Sequence, residues 1–115
     1  MEKVAGIGGV FFRSKDPAAL RKWYADNLGI PDEEWGTMFE ATGQTVWSPF
    51  AEDTDYFKTS QPFMINYRVT DLDAMLEQLK ANGVAVDEKV DDFDYGKFGW
   101  ATDPDGNRFE LWQPK

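Results

Sequence analysis

The sequence predicts an α+β fold built from a duplicated βαβββ unit. Two observations carry this prediction: two helices that each start at a capping aspartate, and an order of elements that repeats at half the chain length. Arg13 and Arg68 have the same spacing as Asp16 and Asp71. Self-similarity of this kind is typical of a repeated supersecondary unit. We therefore expect one domain over residues 1–115, made of modules 1–60 and 61–115.

Both predicted helices, residues 16–28 and 71–82, carry start and stop signals. Asp16 supplies an N-cap carboxylate, and Pro17 has the backbone angle that the first helical position needs. Gly29 suits the left-handed conformation that commonly ends a helix. Each helix also has one apolar stripe at helical spacing, formed by Leu20, Trp23, Tyr24 and Leu28 and by Leu72, Met75, Leu76 and Leu79.

Apolar runs with strand propensity surround these helices. The predicted strands cover residues 4–12, 35–41 and 45–48 in the first module, and residues 63–69, 84–86, 97–102 and 109–112 in the second. Residues 87–94 are mostly acidic and predict a solvated loop. Residues 48–60 predict another loop, with three aromatic side chains that either clamp it to the core or form a flap over a site: Phe50, Tyr56 and Phe57.

The closing stretch predicts an antiparallel hairpin whose turn is residues 103–107. Within this turn proline presets φ, glycine supplies a positive φ, and Asp and Asn side chains bond to the local backbone. In the second strand Glu110 alternates with Phe109 and Leu111, so it shares a sheet face with Trp112. A carboxylate in that position either faces solvent or lines a pocket.

Composition excludes several classes of function. The formal charge of −9 argues against nucleic acid and anionic membranes as partners, because binding phosphate requires clustered cations. The chain has no cysteine and no histidine, so disulfides, thiol nucleophiles, imidazole bases and zinc–thiolate sites are absent. Neither a signal peptide nor an apolar run of membrane-spanning length is evident, and we expect a cytoplasmic location.

The paired modules, the aspartate that starts each helix and the closing sequence DPDGNRFELWQP resemble the glyoxalase/bleomycin-resistance/extradiol-dioxygenase superfamily. This superfamily is also called vicinal oxygen chelate, or VOC. The resemblance covers nearly the whole chain. It implies two modules that each curl a mixed sheet into a half-barrel, with the helices outside. It also implies a homodimer whose cavities combine modules of both chains.

Enzymes of that superfamily hold a divalent metal on equivalent strand positions. The resemblance places these positions at Gly9, Met64 and Glu110, with a further one at Val46 or Trp47. Glycine has no ligand atom, and a thioether is a poor ligand for hard divalent ions. Because Glu110 alone is retained, we expect neither a metal nor another cofactor.

Strand alternation predicts a concave face suited to an organic ligand. Its expected ligand-binding residues are Phe11, Trp47, Met64, Asn66, Arg68, Trp100, Glu110 and Trp112. This face predicts metal-free binding or sequestration of a small, partly aromatic molecule.

Three alternatives stay open for the same residues. They could fill a closed core or a dimer interface, with Arg68 and Glu110 as a structural ion pair. They could instead belong to a VOC-type enzyme, lactoylglutathione-lyase-like or dioxygenase-like, with Glu110 as metal ligand. Glu110 could also be the catalytic general base of a metal-free enzyme. The expected partners of the chain are a small-molecule ligand and a second copy of the chain, without nucleic acid or membrane.

Overall fold

Two helices pack on one face of a five-stranded sheet in the computed structural model, which describes residues 1–3, 7, 9–40, 42–58 and 60–115. The elements in chain order are α1 (Pro17–Leu28), β1 (Asn66–Arg68), α2 (Leu72–Ala81), β2 (Ala85–Val86), β3 (Asp91–Phe93), β4 (Gly96–Thr102) and β5 (Arg108–Pro114). No helix within the described ranges is long and apolar enough to cross a membrane.

The sheet is mixed, with strand order β1-β5-β4-β2 and β3 paired to β4. Strand β1 runs parallel to β5, whereas β4 is antiparallel to β5, β2 and β3. The register places Asn66 beside Glu110 and Glu110 beside Trp100. The predicted α+β class is therefore confirmed, and the register brings three predicted site residues onto one row.

Both helices begin and end where the capping signals predicted. The Asp16 carboxylate accepts from the Ala19 amide at 3.1 Å, and the Asp71 carboxylate accepts from the Ala74 amide at 3.0 Å. Gly29 follows α1 in the left-handed region at φ 72°. These side-chain bonds satisfy amides that have no partner inside the helix.

The core lies between the helices and the sheet. Phe109 and Leu111 of β5 point into it and meet leucines of both helices, and Ala101 of β4 lies beside them. Burial of such side chains stabilises the fold by about 1.5–3 kcal/mol each. Because alternate residues of a strand face opposite ways, Glu110 and Trp112 point to the face without helices.

The turn between β4 and β5 is built around the Asp103 carboxylate, as predicted. It accepts from the amides of Asp105 and Asn107, both at 2.9 Å, and from the Asn107 side chain at 3.0 Å. Gly106 has a positive φ of 86°. The Tyr24 hydroxyl also donates to Asp103, at 2.9 Å, so helix α1 is tied to the turn.

The predicted strands of the first module are not formed in the part of the chain that the structure describes. Residues 9–12, 35–40 and 45–48 make no ladder, and residues 4–6, 8 and 41 lie outside the described ranges. Their large apolar side chains are exposed, among them Phe11, Trp35, Met38 and Trp47. A strand requires a neighbouring edge for its backbone hydrogen bonds, and these segments lie against none. The division into two modules stays a prediction.

The prediction of a loop over residues 87–94 was wrong in the second half of that range. Asp91–Phe93 forms β3, which pairs with the start of β4. Asp92 stands directly opposite Lys97, and such opposite charges stabilise cross-strand pairs. Asp91 and Asp92 therefore lie on a paired strand instead of a solvated loop.

Candidate functional site

Glu110 is the buried carboxylate of the sheet face that carries no helix. It lies on β5 between β1 and β4, and it is 8% exposed. The neighbours Phe109 and Leu111 point into the helix-facing core, which fixes Glu110 on the opposite face. A carboxylate at this depth requires hydrogen-bond donors, because burial of an unpaired charge is costly.

Three described side chains donate to that carboxylate. Asn66 Nδ2 donates to Oε1 at 2.7 Å, and Trp100 Nε1 donates to Oε2 at 3.0 Å. The Tyr56 hydroxyl also donates to Oε2. All three donors are neutral, so the carboxylate is solvated by dipoles. We call this group, Glu110 with Tyr56, Asn66 and Trp100, the Glu110 site.

Arg68 does not form the ion pair with Glu110 that the sequence left open. Its guanidinium donates to the backbone carbonyl of Gln44. It also lies against Gly43, where an added Cβ would be 2.7 Å from Arg68 Nε. The charge of Arg68 is therefore directed at residues 43–44, away from the carboxylate.

Aromatic rings surround the Glu110 site. The Trp100 ring, 2% exposed, meets the Tyr56 ring edge-on, with centroids 6.1 Å apart and an interplanar angle of 71°. Arg108 lies 5.1 Å from the centre of the Trp100 ring and forms a 2.8 Å ion pair with Asp87. A cation near an aromatic face is attracted to it, so Arg108 is held between the Trp100 ring and Asp87.

A second pair of rings continues the same face. Phe98 and Trp112 stack in parallel, with centroids 6.1 Å apart and an interplanar angle of 1°. The indole Nε1 of Trp112 is buried and has no hydrogen-bond partner among the described residues. Gly96 packs against it, since a Cβ at that position would lie 2.3 Å from Nε1. The face therefore combines a polar group at Glu110 with an aromatic wall beside it.

Tyr56 comes from the loop of residues 48–60 and lies over the site. Its backbone carbonyl accepts from Arg108 Nη1 at 2.8 Å, and its ring packs on Phe50 at 5.5 Å. Burial and the hydrogen bond to Glu110 raise the pKa of the Tyr56 phenol, while the positive charge of Arg108 acts in the opposite direction. The predicted concave pocket is thus filled by a protein side chain at this point.

The structure brings three of the predicted site residues into contact with one another. Asn66, Trp100 and Glu110 share one hydrogen-bonded cluster. Arg68 and Trp112 are register partners on the same face. The Met64 sulfur accepts from Arg108 Nη1 at 3.9 Å.

Phe11 and Trp47 are not brought to the Glu110 site. Phe11, 93% exposed, lines a cavity of about 400 Å³ with Tyr24 and Phe109 of the helix-facing core. Trp47 is 77% exposed. Both were placed by strand alternation, which does not apply because their segments form no strand. As ligand-binding residues they remain predictions without support from the geometry.

Tyr56 and Phe98 also belong to this face, although the sequence did not predict them as site residues. Phe98 had a signal, since it lies two residues before Trp100 on the same strand and therefore points the same way. For Tyr56 no regular spacing of residues predicted a place at the site. The high aromatic content of its loop was the one feature of the sequence that pointed to it.

Residues 6–111 match the model of the Glyoxalase/Bleomycin resistance protein/Dioxygenase superfamily. The chain belongs to this superfamily. The match covers nearly the whole sequence and includes Glu110.

The solved structures that this chain is similar to include an antibiotic binding protein, an oxidase and a glyoxalase/bleomycin resistance protein. TnmS3, an antibiotic binding protein from Streptomyces sp. CB03234, is 26% identical over 84% of each chain, with a TM-score of 0.50. The oxidase ChaP-H2 is 14% identical over 89% of this chain and 87% of its own, with a TM-score of 0.54. A glyoxalase/bleomycin resistance protein from the same Streptomyces strain is 37% identical over 43% of this chain, with a TM-score of 0.39.

The chain spans 42% to 50% of the length of the first three structures that it matches. A search of curated proteins gives no match.

The residues present do not fit the divalent metal that enzymes of the superfamily hold. Of the matching positions, Gly9, Val46 and Trp47 offer no ligand atom, and the Met64 sulfur contacts Arg108. Glu110 directs both oxygens at hydrogen-bond donors. The described residues contain no group of three or more His, Cys, Asp or Glu side chains able to hold a metal.

Proposed function

We propose that this superfamily member binds and sequesters a small, partly aromatic molecule at the Glu110 site without a metal. The observation that carries the proposal is the buried Glu110 carboxylate, which is bonded by neutral donors and bordered by aromatic rings. Apolar walls with a few placed polar groups are typical of sites for organic ligands. The similarity to TnmS3, an antibiotic binding protein, supports the same class of function.

The charge of the site favours a ligand that donates hydrogen bonds or carries a positive charge. Glu110 is the acceptor, and one lone pair of Oε1 is left after the bond from Asn66. Since Arg68 points to residues 43–44, it does not neutralise the carboxylate. Stacking on the rings beside Glu110 adds about 0.5–1.5 kcal/mol for each well-placed aromatic pair.

A fluorescence screen of planar cationic and aromatic compounds tests the proposal, because Trp100 and Trp112 lie on the proposed binding face. We expect quenching by at least one class. Glu110→Gln should weaken binding of a cationic ligand by about 1.5–3 kcal/mol, the worth of a hydrogen bond to a charged group. Glu77→Gln, on the exposed face of α2, is the matched control and should change nothing.

Two results would contradict the proposal. One is a set of ligands whose affinities are all unaffected by Glu110→Gln, which would make Glu110 a structural residue. The other is a stoichiometric divalent metal in the purified protein that is lost in Glu110→Ala, which would favour the VOC-type enzyme.

The alternative function is a metal-free enzyme with Glu110 as general base. One contact favours it, since the Tyr56 hydroxyl and the Glu110 carboxylate form a hydrogen-bonded acid–base pair. Both oxygens of Glu110 already accept hydrogen bonds from protein side chains, so binding is the better supported function.

We also propose that the chain acts as a homodimer. Several large apolar side chains between residues 7 and 50 lie exposed, among them Phe11, Trp35 and Trp47, and exposed apolar patches favour association with another surface. A second copy would offer the sheet edge that these segments lack. The cytoplasmic location stays a prediction.

A further inference from the structure

The group that lies on Glu110 Oε2 is a phenol supplied by the chain itself. Tyr56 is 38% exposed, whereas Glu110 and Trp100 beneath it are 8% and 2% exposed. The Tyr56 ring covers the edge of Trp100, and its hydroxyl donates to the carboxylate. The side chain thus lies at the entrance of the site, between solvent and the buried acceptor.

The three donors to Glu110 differ in how firmly the fold places them. Asn66 and Trp100 lie on β1 and β4, in register with Glu110 on β5. Moving either strand away from Glu110 would break its backbone pairing with β5. Tyr56 instead lies on a loop. Near this residue, two described hydrogen bonds tie the loop to the sheet: Arg108 donates to the Tyr56 carbonyl, and the Tyr56 hydroxyl donates to Glu110. Displacing Tyr56 therefore leaves the sheet intact.

Withdrawal of Tyr56 would open a space with defined chemistry. One oxygen of Glu110 would lose a hydroxyl donor, and the edge of Trp100 would lose an aromatic ring. An incoming group restores both contacts if it is a hydroxyl on a planar aromatic ring. A buried acceptor left without its donor costs free energy, so an aromatic ligand without such a donor is discriminated against.

We propose that Tyr56 is an internal competitor for the Glu110 site, and that the ligand is a hydroxylated planar aromatic molecule whose hydroxyl replaces that of Tyr56. This inference rests on the proposed binding function and names the class of ligand. Tyr56 is then a specificity-determining residue, because any ligand must make a better bond to Glu110 than the phenol that it displaces. Only the protein molecules in which Tyr56 has left Glu110 can bind the ligand, so a small fraction of such molecules weakens the apparent affinity.

Calorimetric titration of the full chain with 2-naphthol and with its methyl ether, 2-methoxynaphthalene, tests this. In Tyr56→Phe the internal hydroxyl is gone, and 2-naphthol should bind about tenfold more tightly, as expected for loss of one competing hydrogen bond to a charged group. Tyr95→Phe is the matched control on an exposed tyrosine and should leave the affinity within about twofold. The methyl ether should bind wild type at least about tenfold more weakly than 2-naphthol.

Equal or weaker binding of 2-naphthol in Tyr56→Phe overturns the inference, as does equal binding of the methyl ether. If 2-naphthylmethylammonium binds in a Glu110-dependent manner while 2-naphthol does not bind, the proposed function stands and the hydroxyl inference falls. If none of the three compounds binds wild type or Tyr56→Phe, both fall.

Hydrogen exchange on the wild-type protein gives a second test that does not depend on the folding of a variant. Displacement of Tyr56 removes a bond that ties residues 48–60 to the sheet, so saturation with 2-naphthol should speed amide exchange in this loop severalfold. Ligand that simply packs beside Tyr56 would slow the exchange instead, and that result overturns the inference.

Discussion

Replacing Tyr24 by phenylalanine removes one hydroxyl from the contact between α1 and the β4–β5 turn. That hydroxyl donates to the buried Asp103 carboxylate at 2.9 Å, and Tyr24 is itself buried. The phenyl ring of the variant retains the packing against Phe109 and Tyr67, so the change removes only the polar contacts of the hydroxyl. Asp103 keeps its bonds from the turn, but one acceptor position loses its partner.

A hydrogen bond to a charged group contributes about 1.5–3 kcal/mol. We expect Tyr24→Phe to lower the free energy of unfolding by that amount, a large part of the roughly 5–15 kcal/mol that stabilises a typical domain. For a chain of this size the melting temperature should fall by roughly 5–12 °C.

Urea unfolding followed by tryptophan fluorescence measures the change directly. The midpoint should fall while the slope stays constant, because the same surface is exposed on unfolding. Tyr95→Phe, at a tyrosine that is 64% exposed, provides the control and should alter the free energy by less than about 0.5 kcal/mol. A Tyr24→Phe effect as small as that of the control would refute the role assigned to the Asp103 contact.

Three further measurements test other features of the fold. Gly96→Ala should destabilise the fold by about 1–3 kcal/mol and change the tryptophan emission, because the added Cβ would lie 2.3 Å from Trp112 Nε1; unchanged emission and stability would contradict this. Burial raises the pKa of Tyr24 and of Tyr67, so the folded state keeps protons that the unfolded chain loses; stability should fall as pH rises above about 10, and less steeply in Tyr24→Phe. Light scattering at micromolar concentration should give twice the chain mass of 13.1 kDa, and a monomer mass would exclude the dimer.

Local signals in the sequence predicted the helices and the closing turn. The capping aspartates, Gly29 and the Asp103 turn depend on bonds between residues close in sequence, and all appear as expected. Alternation along regular strands also placed Glu110 and Trp100 on one face. These features share one property, since each is decided by backbone geometry over a few residues.

What the sequence did not reveal depends on contacts between distant segments. Tyr56 reaches Glu110 across 54 positions of chain, and no local pattern encodes that contact. Phe11 and Trp47 lie exposed in segments that form no strand, because strand propensity does not supply a pairing edge. Strand β3 was not predicted because its carboxylates favoured a loop exposed to solvent, whereas its backbone pairs with β4.

The central position of β5 has a consequence for the order of folding. Its pairing with β4 joins neighbouring residues across a short turn, so this hairpin can form within microseconds. Its parallel pairing with β1 requires closure of a much longer loop that contains α2, since Asn66 and Glu110 are 44 positions apart. Contacts of that kind slow folding. We therefore expect the Trp100 bond to Glu110 to form together with the hairpin, and the Asn66 bond to form later, when β1 pairs with β5.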